Sequence, residues 1–166
     1  MQKARNNVAC WDDVFMAICL LMAQRSKDPN TQVGACLVDN YNRLIGTGYN
    51  GFPRGIDCLP WDRDGAYDNT KYAYIIHAEE NAIDNCDKHR LKDSTLYVTL
   101  YPCNKCAAKI IQNQITQVVY LNDQYHDKPE WKAARKLFKL AKIKVRKFIP
   151  KQSKFKLNLG GEKNAK

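Results

Sequence analysis

Thr95-Leu96-Tyr97-Val98-Thr99-Leu100-Tyr101-Pro102-Cys103-Asn104-Lys105-Cys106 decides how the chain folds. Residues 95–100 alternate apolar and polar among β-branched and aromatic types, the pattern of a strand. Pro102 suits the first turn of a helix, where its missing amide hydrogen costs nothing, and the helix runs over 102–112. A short apolar run at 117–121 then returns as a strand. Upstream, residues 71–87 read as a helix, and 33–38 with 43–49 read as an antiparallel hairpin turning at 39–42. A first helix opens at Trp11-Asp12-Asp13, with Asp12 as its N-cap. It is apolar almost all round over 14–24 and stops before Pro29. Downstream, 129–141 is a helix and 143–148 a last strand, ended by Pro150. The order α-β-β-α-β-α-β-α-β predicts an α/β fold, a three-layer α/β/α sandwich with a mixed five-stranded sheet.

One domain over residues 1–150 is the natural division, followed by a basic tail over 151–166. Its 166 residues, 45% of them hydrophobic, suffice for one core. The net charge of +10 is unevenly spread. Residues 1–131 hold 14 basic and 16 acidic side chains, whereas 132–166 hold 13 basic residues against Glu162 alone. A basic tail suits anionic partners, but it reads first as a solvated face. The longest apolar run, 14–23, is short of the ~20 residues of a membrane span, and no secretory leader opens the chain. Seven cysteines cannot all pair, and Cys-x-x-Cys outside an oxidising compartment binds metal or does redox work. Cytoplasm is the expected address, with no membrane partner.

The chemistry gathers at His77-Ala78-Glu79 and Cys103-Asn104-Lys105-Cys106. One imidazole and two thiolates make three zinc ligands and leave a fourth position to water, the arrangement of a catalytic zinc. Cys103 and Cys106, three apart at a helix start, share a face. Glu79 follows His77 by two positions. On a full helix the two would diverge, so Glu79 is the acid/base and not a ligand. Glu80 is structural on this reading. His89 and His126 are the residues that could close the site as a fourth ligand, and a bare Cys-x-x-Cys could be a redox pair. Between Asn50 and Thr70 lies a long irregular stretch bearing Phe52, Trp61 and Tyr67, read as a wall over the site or a subunit contact.

At these residues the chain resembles the cytidine deaminase-like superfamily, and within it most the deoxycytidylate (dCMP) deaminases. Ala23-Gln24-Arg25-Ser26-Lys27-Asp28-Pro29, Gly48-Tyr49-Asn50-Gly51-Phe52-Pro53, Asp123-Gln124-Tyr125-His126-Asp127 and Lys147-Phe148-Ile149-Pro150 carry the closer likeness. The resemblance implies Zn2+ on His77, Cys103 and Cys106, with Glu79 as general acid/base. It implies dCMP as substrate, and dUMP, for thymidylate synthesis, and ammonia as products. Asn50 would bond the nucleotide's sugar or base, and Ser26, Lys27 and Tyr125 its phosphate. It further implies a homo-hexamer, activated by dCTP with Mg2+ and inhibited by dTTP. Gly48, Asn50, Gly51 and Trp61 are the residues of the expected effector loop.

Two other readings use the same residues. A deaminase acting on a base in RNA or single-stranded DNA needs a basic channel beside the site, which the charge distribution opposes. A non-catalytic zinc-stabilised interaction module needs a fourth ligand and leaves Glu79 without a task.

Overall fold

The strand Gly34–Val38 (β1) is buried at every position because it has a neighbour on both edges and a helix on both faces. In the computed structural model, which describes residues 2–152, 154–156 and 160, β1 pairs antiparallel with Leu44–Tyr49 (β2) and with Thr95–Leu100 (β3). Gln117–Asn122 (β4) and Lys144–Lys147 (β5) continue the sheet in parallel. The order is β2-β1-β3-β4-β5, a mixed five-stranded sheet as expected.

Side-chain alternation divides the sheet between two layers. Ala35, Leu37, Leu96, Val98 and Val118 face three helices: Ala78–Asp84 (α2), Asn104–Gln112 (α3) and Pro129–Leu140 (α4). Cys36, Val38, Tyr97 and Val119 face Trp11–Ala23 (α1), through Phe15, Met16 and Cys19. The three-layer sandwich is therefore lopsided, with α1 alone on its face. Two glycines let helices press onto strands by backbone. A methyl group at Gly34 would come within 1.9 Å of the Cys19 carbonyl oxygen in α1. One at Gly48 would come within 2.3 Å of the Ala78 oxygen and the Ala82 nitrogen in α2.

Several boundaries differ from the sequence expectation, each for a local reason. Asp12 is not the N-cap of α1; Cys10 is, without a side-chain bond. Asp12 instead accepts from the Tyr97 hydroxyl and from Arg146, both at 2.7 Å. The helix expected over 71–87 is confined to Ala78–Asp84. Lys71–Ala73 is a single 3-10 turn, and Ile76 pairs with Gly51 through two backbone hydrogen bonds of 2.9 and 3.1 Å. That pairing holds the chain extended up to His77. Pro102 lies just outside α3, whose N-cap is Cys103.

Of the basic tail over 151–166, the amides of Lys151 and Gln152 donate to the buried Asp13 carboxylate at 3.0 Å each. Residues 153, 157–159 and 161–166 of that tail lie outside the described residues. Among the described residues, no helix is long and apolar enough to cross a membrane, and all seven cysteines are free.

Candidate active site

Two helix starts meet where β3 ends. His77 is the N-cap of α2, with extended backbone (φ −75, ψ 157), and Cys103 is the N-cap of α3 (φ −76, ψ 175). Because His77 lies just before the helix, Glu79 falls in the first turn behind it. His77 Nδ1 lies 3.3 Å from Cys106 Sγ and 3.5 Å from Cys103 Sγ. All three ligand atoms lie within 4.8 Å of one another. Tetrahedral zinc with Zn–S near 2.3 Å and Zn–N near 2.0 Å places its ligand atoms about 3.5 Å apart. Two soft thiols and one imidazole at this spacing fit zinc, and the pair of thiolates would neutralise it. Among the described residues this is the one group of three or more with metal-ligand spacing. His126 is exposed and pairs with Asp127 at 3.0 Å, and His89 is exposed in a 3-10 turn. Neither closes the site.

The charges around the cluster follow from burial and close approach. Hydrogen bonding from Cys106 and then His77 brings the Cys103 thiol down to about 4, against the opposing effect of burial. Cys106 is pushed well up by its bond to the Cys103 thiolate and by burial. Burial alone would lower His77, but the Cys103 thiolate and the Glu79 and Glu80 carboxylates outweigh it and raise the imidazole to about 9. Glu79 is only 4% exposed. Burial raises its carboxyl to about 7, although the His77 charge pulls the other way. Glu80 bonds Lys109 at 3.4 Å and receives the His77 amide at 3.5 Å.

A cavity of about 710 Å³ opens onto this cluster, a size suited to a small organic ligand. His77, Glu79 and Cys103 lie in its lining, as do Asn50 and Tyr125 from the expected substrate residues. Asn50 is fixed by three hydrogen bonds. Its Oδ1 accepts from the Val33 amide at 2.7 Å, while Nδ2 donates to the Thr31 carbonyl at 2.9 Å and to Asp28 Oδ2 at 3.3 Å. The Tyr125 hydroxyl lies 3.5 Å from that of Thr31, and its ring packs on Trp131. Arg63 joins this rim, its Nε donating to the Tyr72 hydroxyl at 3.0 Å. The irregular stretch after Asn50 is therefore a wall of the cavity, braced by Phe52 against Trp61 with ring centroids 4.1 Å apart.

The remaining expected residues sit elsewhere. Ser26 and Lys27 are not in the cavity lining. Ser26 donates to the Asn50 carbonyl at 2.9 Å, and Lys27 pairs with Asp57 at 2.7 Å on the surface. Gly48 is not in a loop: it lies within β2, under α2. Gly51 is tied to Ile76, and Trp61 to Phe52. Asn50 and Gly51 follow at the end of β2, and Trp61 comes beside them through Phe52. Sequence reading missed Asp28, Arg63, Lys71, Lys128 and Trp131, all of which line the cavity. No spacing rule joins them; only Trp131, on the opening turn of α4 two residues after Pro129, carried a signal of placement.

Residues 9–122 match the model of the cytidine and deoxycytidylate deaminase zinc-binding region. The deoxycytidylate deaminase of Homo sapiens is 50% identical over 155 residues, covering 92% of this chain and 87% of that protein. The probable deoxycytidylate deaminase of Drosophila melanogaster is 47% identical over 150 residues, covering 86% and 74%. The crystal structure of dCMP deaminase from the cyanophage S-TIM5 in complex with dCMP and dUMP superposes with a TM-score of 0.63 at 25% identity, covering 81% of this chain and 94% of that one. On the family model matched over residues 9–122 and the relative 50% identical along 92% of its length, the chain belongs to the cytidine and deoxycytidylate deaminase family.

Proposed function

We propose that the chain is a hydrolase that converts dCMP to dUMP and ammonia. The observation that carries this reading is the placement of Glu79. Its carboxyl is buried next to the three-ligand cluster and borders a cavity of nucleotide size. Zinc, when bound by His77, Cys103 and Cys106, supplies Lewis acidity and lowers the pKa of water. Glu79 does the proton work. It takes a proton from the attacking water as oxygen adds to C4 of the base, and gives one to ring N3. It then takes the proton of the new C4 hydroxyl and passes it to the amino group, so the C4 carbonyl forms, the C4–N bond breaks and ammonia leaves. Burial suits this group to the task, because a carboxyl taken out of water holds a proton more firmly between the two transfers.

The rest of the cavity suits a monophosphate. Both Asn50 N–H donors are spent on Asp28 and Thr31, and one lone pair of Oδ1 is spent on Val33. Toward a ligand Asn50 is therefore an acceptor, suited to a sugar hydroxyl. Arg63, Tyr125 and Lys128 on the rim suit the phosphate. Ser26 acts on this reading through Asn50, whose carbonyl it holds. Lys27 lies farther out, where phosphate or effector could draw it from Asp57. The lining holds Arg63, Lys71, Lys105 and Lys128 against Asp28, Glu79, Glu80 and Glu130. Such balance favours one small dianion over a nucleic-acid strand, which calls for a continuous basic track.

The same reading extends to assembly and control: a homo-hexamer in the cytoplasm, activated by dCTP with Mg2+ and inhibited by dTTP. Exposed Trp11, Leu20 and Leu21 on α1 support a subunit contact. Residues 1–150 form the catalytic unit in this account. The test is ammonia release from dCMP, cytidine, dCTP and a cytosine-containing oligonucleotide by zinc-loaded protein. Highest kcat/KM for dCMP supports the reading. Preference for cytidine or the oligonucleotide overturns it.

A further inference from the structure

One ion pair inside the cavity wall has no part in the proton chemistry. Lys71 Nζ lies 2.5 Å from Asp28 Oδ2, with both side chains almost wholly buried, at 5% and 1% exposed. Removing two charges from water is costly, and a buried pair contributes little net stability against apolar residues of the same size. Its retention inside a binding cavity calls for another explanation, and the hydrogen bonds supply one.

Asp28 uses both oxygens. Oδ1 accepts from the amides of Asn30 at 2.9 Å and Thr31 at 3.1 Å, which shapes the turn after α1. Oδ2 accepts from Lys71 and from Asn50 Nδ2. Lys71 belongs to the segment leading into α2, anchored by its amide to the Asp62 carbonyl at 3.0 Å. Three separate pieces of the wall therefore meet at one carboxylate: the turn at 28–31, the end of β2 at Asn50, and the segment before His77.

We propose that the Asp28–Lys71 pair is the positioning device that holds the Asn50 amide in one orientation, with Oδ1 kept as an acceptor for a hydroxyl of the substrate sugar. This rests on the dCMP reading above. An ionised carboxylate can only accept, so it draws the NH2 side of the Asn50 amide toward itself. The Val33 amide and the Thr31 carbonyl favour the same orientation, and the Asp28 oxygen adds the one charged partner to them. Lys71 bonds the same oxygen and so fixes where it points. The pair thus acts on binding of the sugar, through Asn50, and not on the proton transfers of Glu79.

The test uses the zinc-loaded full chain with dCMP and with 2′,3′-dideoxycytidine 5′-monophosphate, which lacks the sugar hydroxyl. The double variant Asp28→Asn/Lys71→Met removes both charges without stranding either. It is expected to keep its zinc and its kcat, to raise KM for dCMP by about tenfold, the worth of one ordinary hydrogen bond, and to lose preference for dCMP over the dideoxy analogue. Lys71→Arg, which restores a cation, recovers more of that preference than Lys71→Met. Should the double variant fail to fold, Asp28→Asn/Lys71→Gln, whose neutral side chains can still bond each other, is read in the same way. A parent preference that persists unchanged in the variants, or kcat falling together with zinc content, overturns the proposal. Parent enzyme without turnover of dCMP is a different failure, that of the substrate reading itself.

Discussion

His77 Nδ1 and Cys106 Sγ, 29 residues apart in sequence, lie 3.3 Å apart across the starts of two helices. With Cys103 they form a group of ligand atoms within 4.8 Å of one another, the spacing that one shared ion needs. A thiol and an imidazole gain a hydrogen bond from the approach, but a second thiol, Cys103, lies 3.5 Å from the same nitrogen. Cys106→Ala is expected to cost zinc affinity well beyond the ~10–100-fold typical of losing an outer partner. Zinc content after dialysis against a chelator reads this directly, and turnover should fall with it.

Gly48 sets how closely α2 lies on β2, and α2 carries Glu79. Gly48→Ala would drive a methyl group to 2.3 Å from the backbone of Ala78 and Ala82. Backbone cannot swing aside as a side chain can, so the variant should lose at least about 1–3 kcal/mol, the usual cost of overpacking. Urea unfolding measures the loss. A fall in kcat is expected even where the variant remains folded, because Glu79 moves with the helix.

How much of this was legible in the sequence depended on chain separation. His77 with Glu79, and Cys103 with Cys106, are each closer than one helical turn, so residue type and spacing suffice to read them. The strand-helix alternation was equally local, and five strands in a mixed sheet follow from it, whereas their order is set by pairing between distant segments. The wall was not legible in the same way. Asp28 and Lys71 are 43 residues apart, and nothing in spacing distinguishes Lys71, which is buried, from Lys27, which is at the surface. Asp12 looked like a helix cap because acidic residues at helix starts often are, yet a partner 134 residues away claims it.

That partner gives a pH prediction. Burial would raise the Asp12 carboxyl, but hydrogen bonds from Arg146 and Tyr97, with the charges of Arg146 and Lys151, hold it below its ordinary 3.8. A carboxyl lowered by folding stabilises fully above its unfolded value, and the contribution is lost as pH falls through the folded one. Stability should therefore decline below about pH 4. Arg146→Gln should lower stability at neutral pH and flatten that acid decline, as followed by urea midpoints across the range. An unchanged acid slope would show that Asp12 carries none of it.

Arg63 lies on the cavity rim with Tyr125 and Lys128. If it meets the phosphate, Arg63→Ala should raise KM for dCMP and leave that for deoxycytidine almost alone. A charged hydrogen bond is worth about 1.5–3 kcal/mol, so the expected change is roughly 10–150-fold. Equal effects on both substrates would place Arg63 in the fold of the wall and not at the phosphate.

The central claim is that Glu79 moves the protons and does not hold the metal. The most direct measurement is zinc content and dCMP turnover of Glu79→Gln on the same sample. The account predicts zinc at the parent level with turnover reduced about 10²–10⁴-fold, the usual worth of general acid–base catalysis. Near-parent turnover with zinc retained would contradict it.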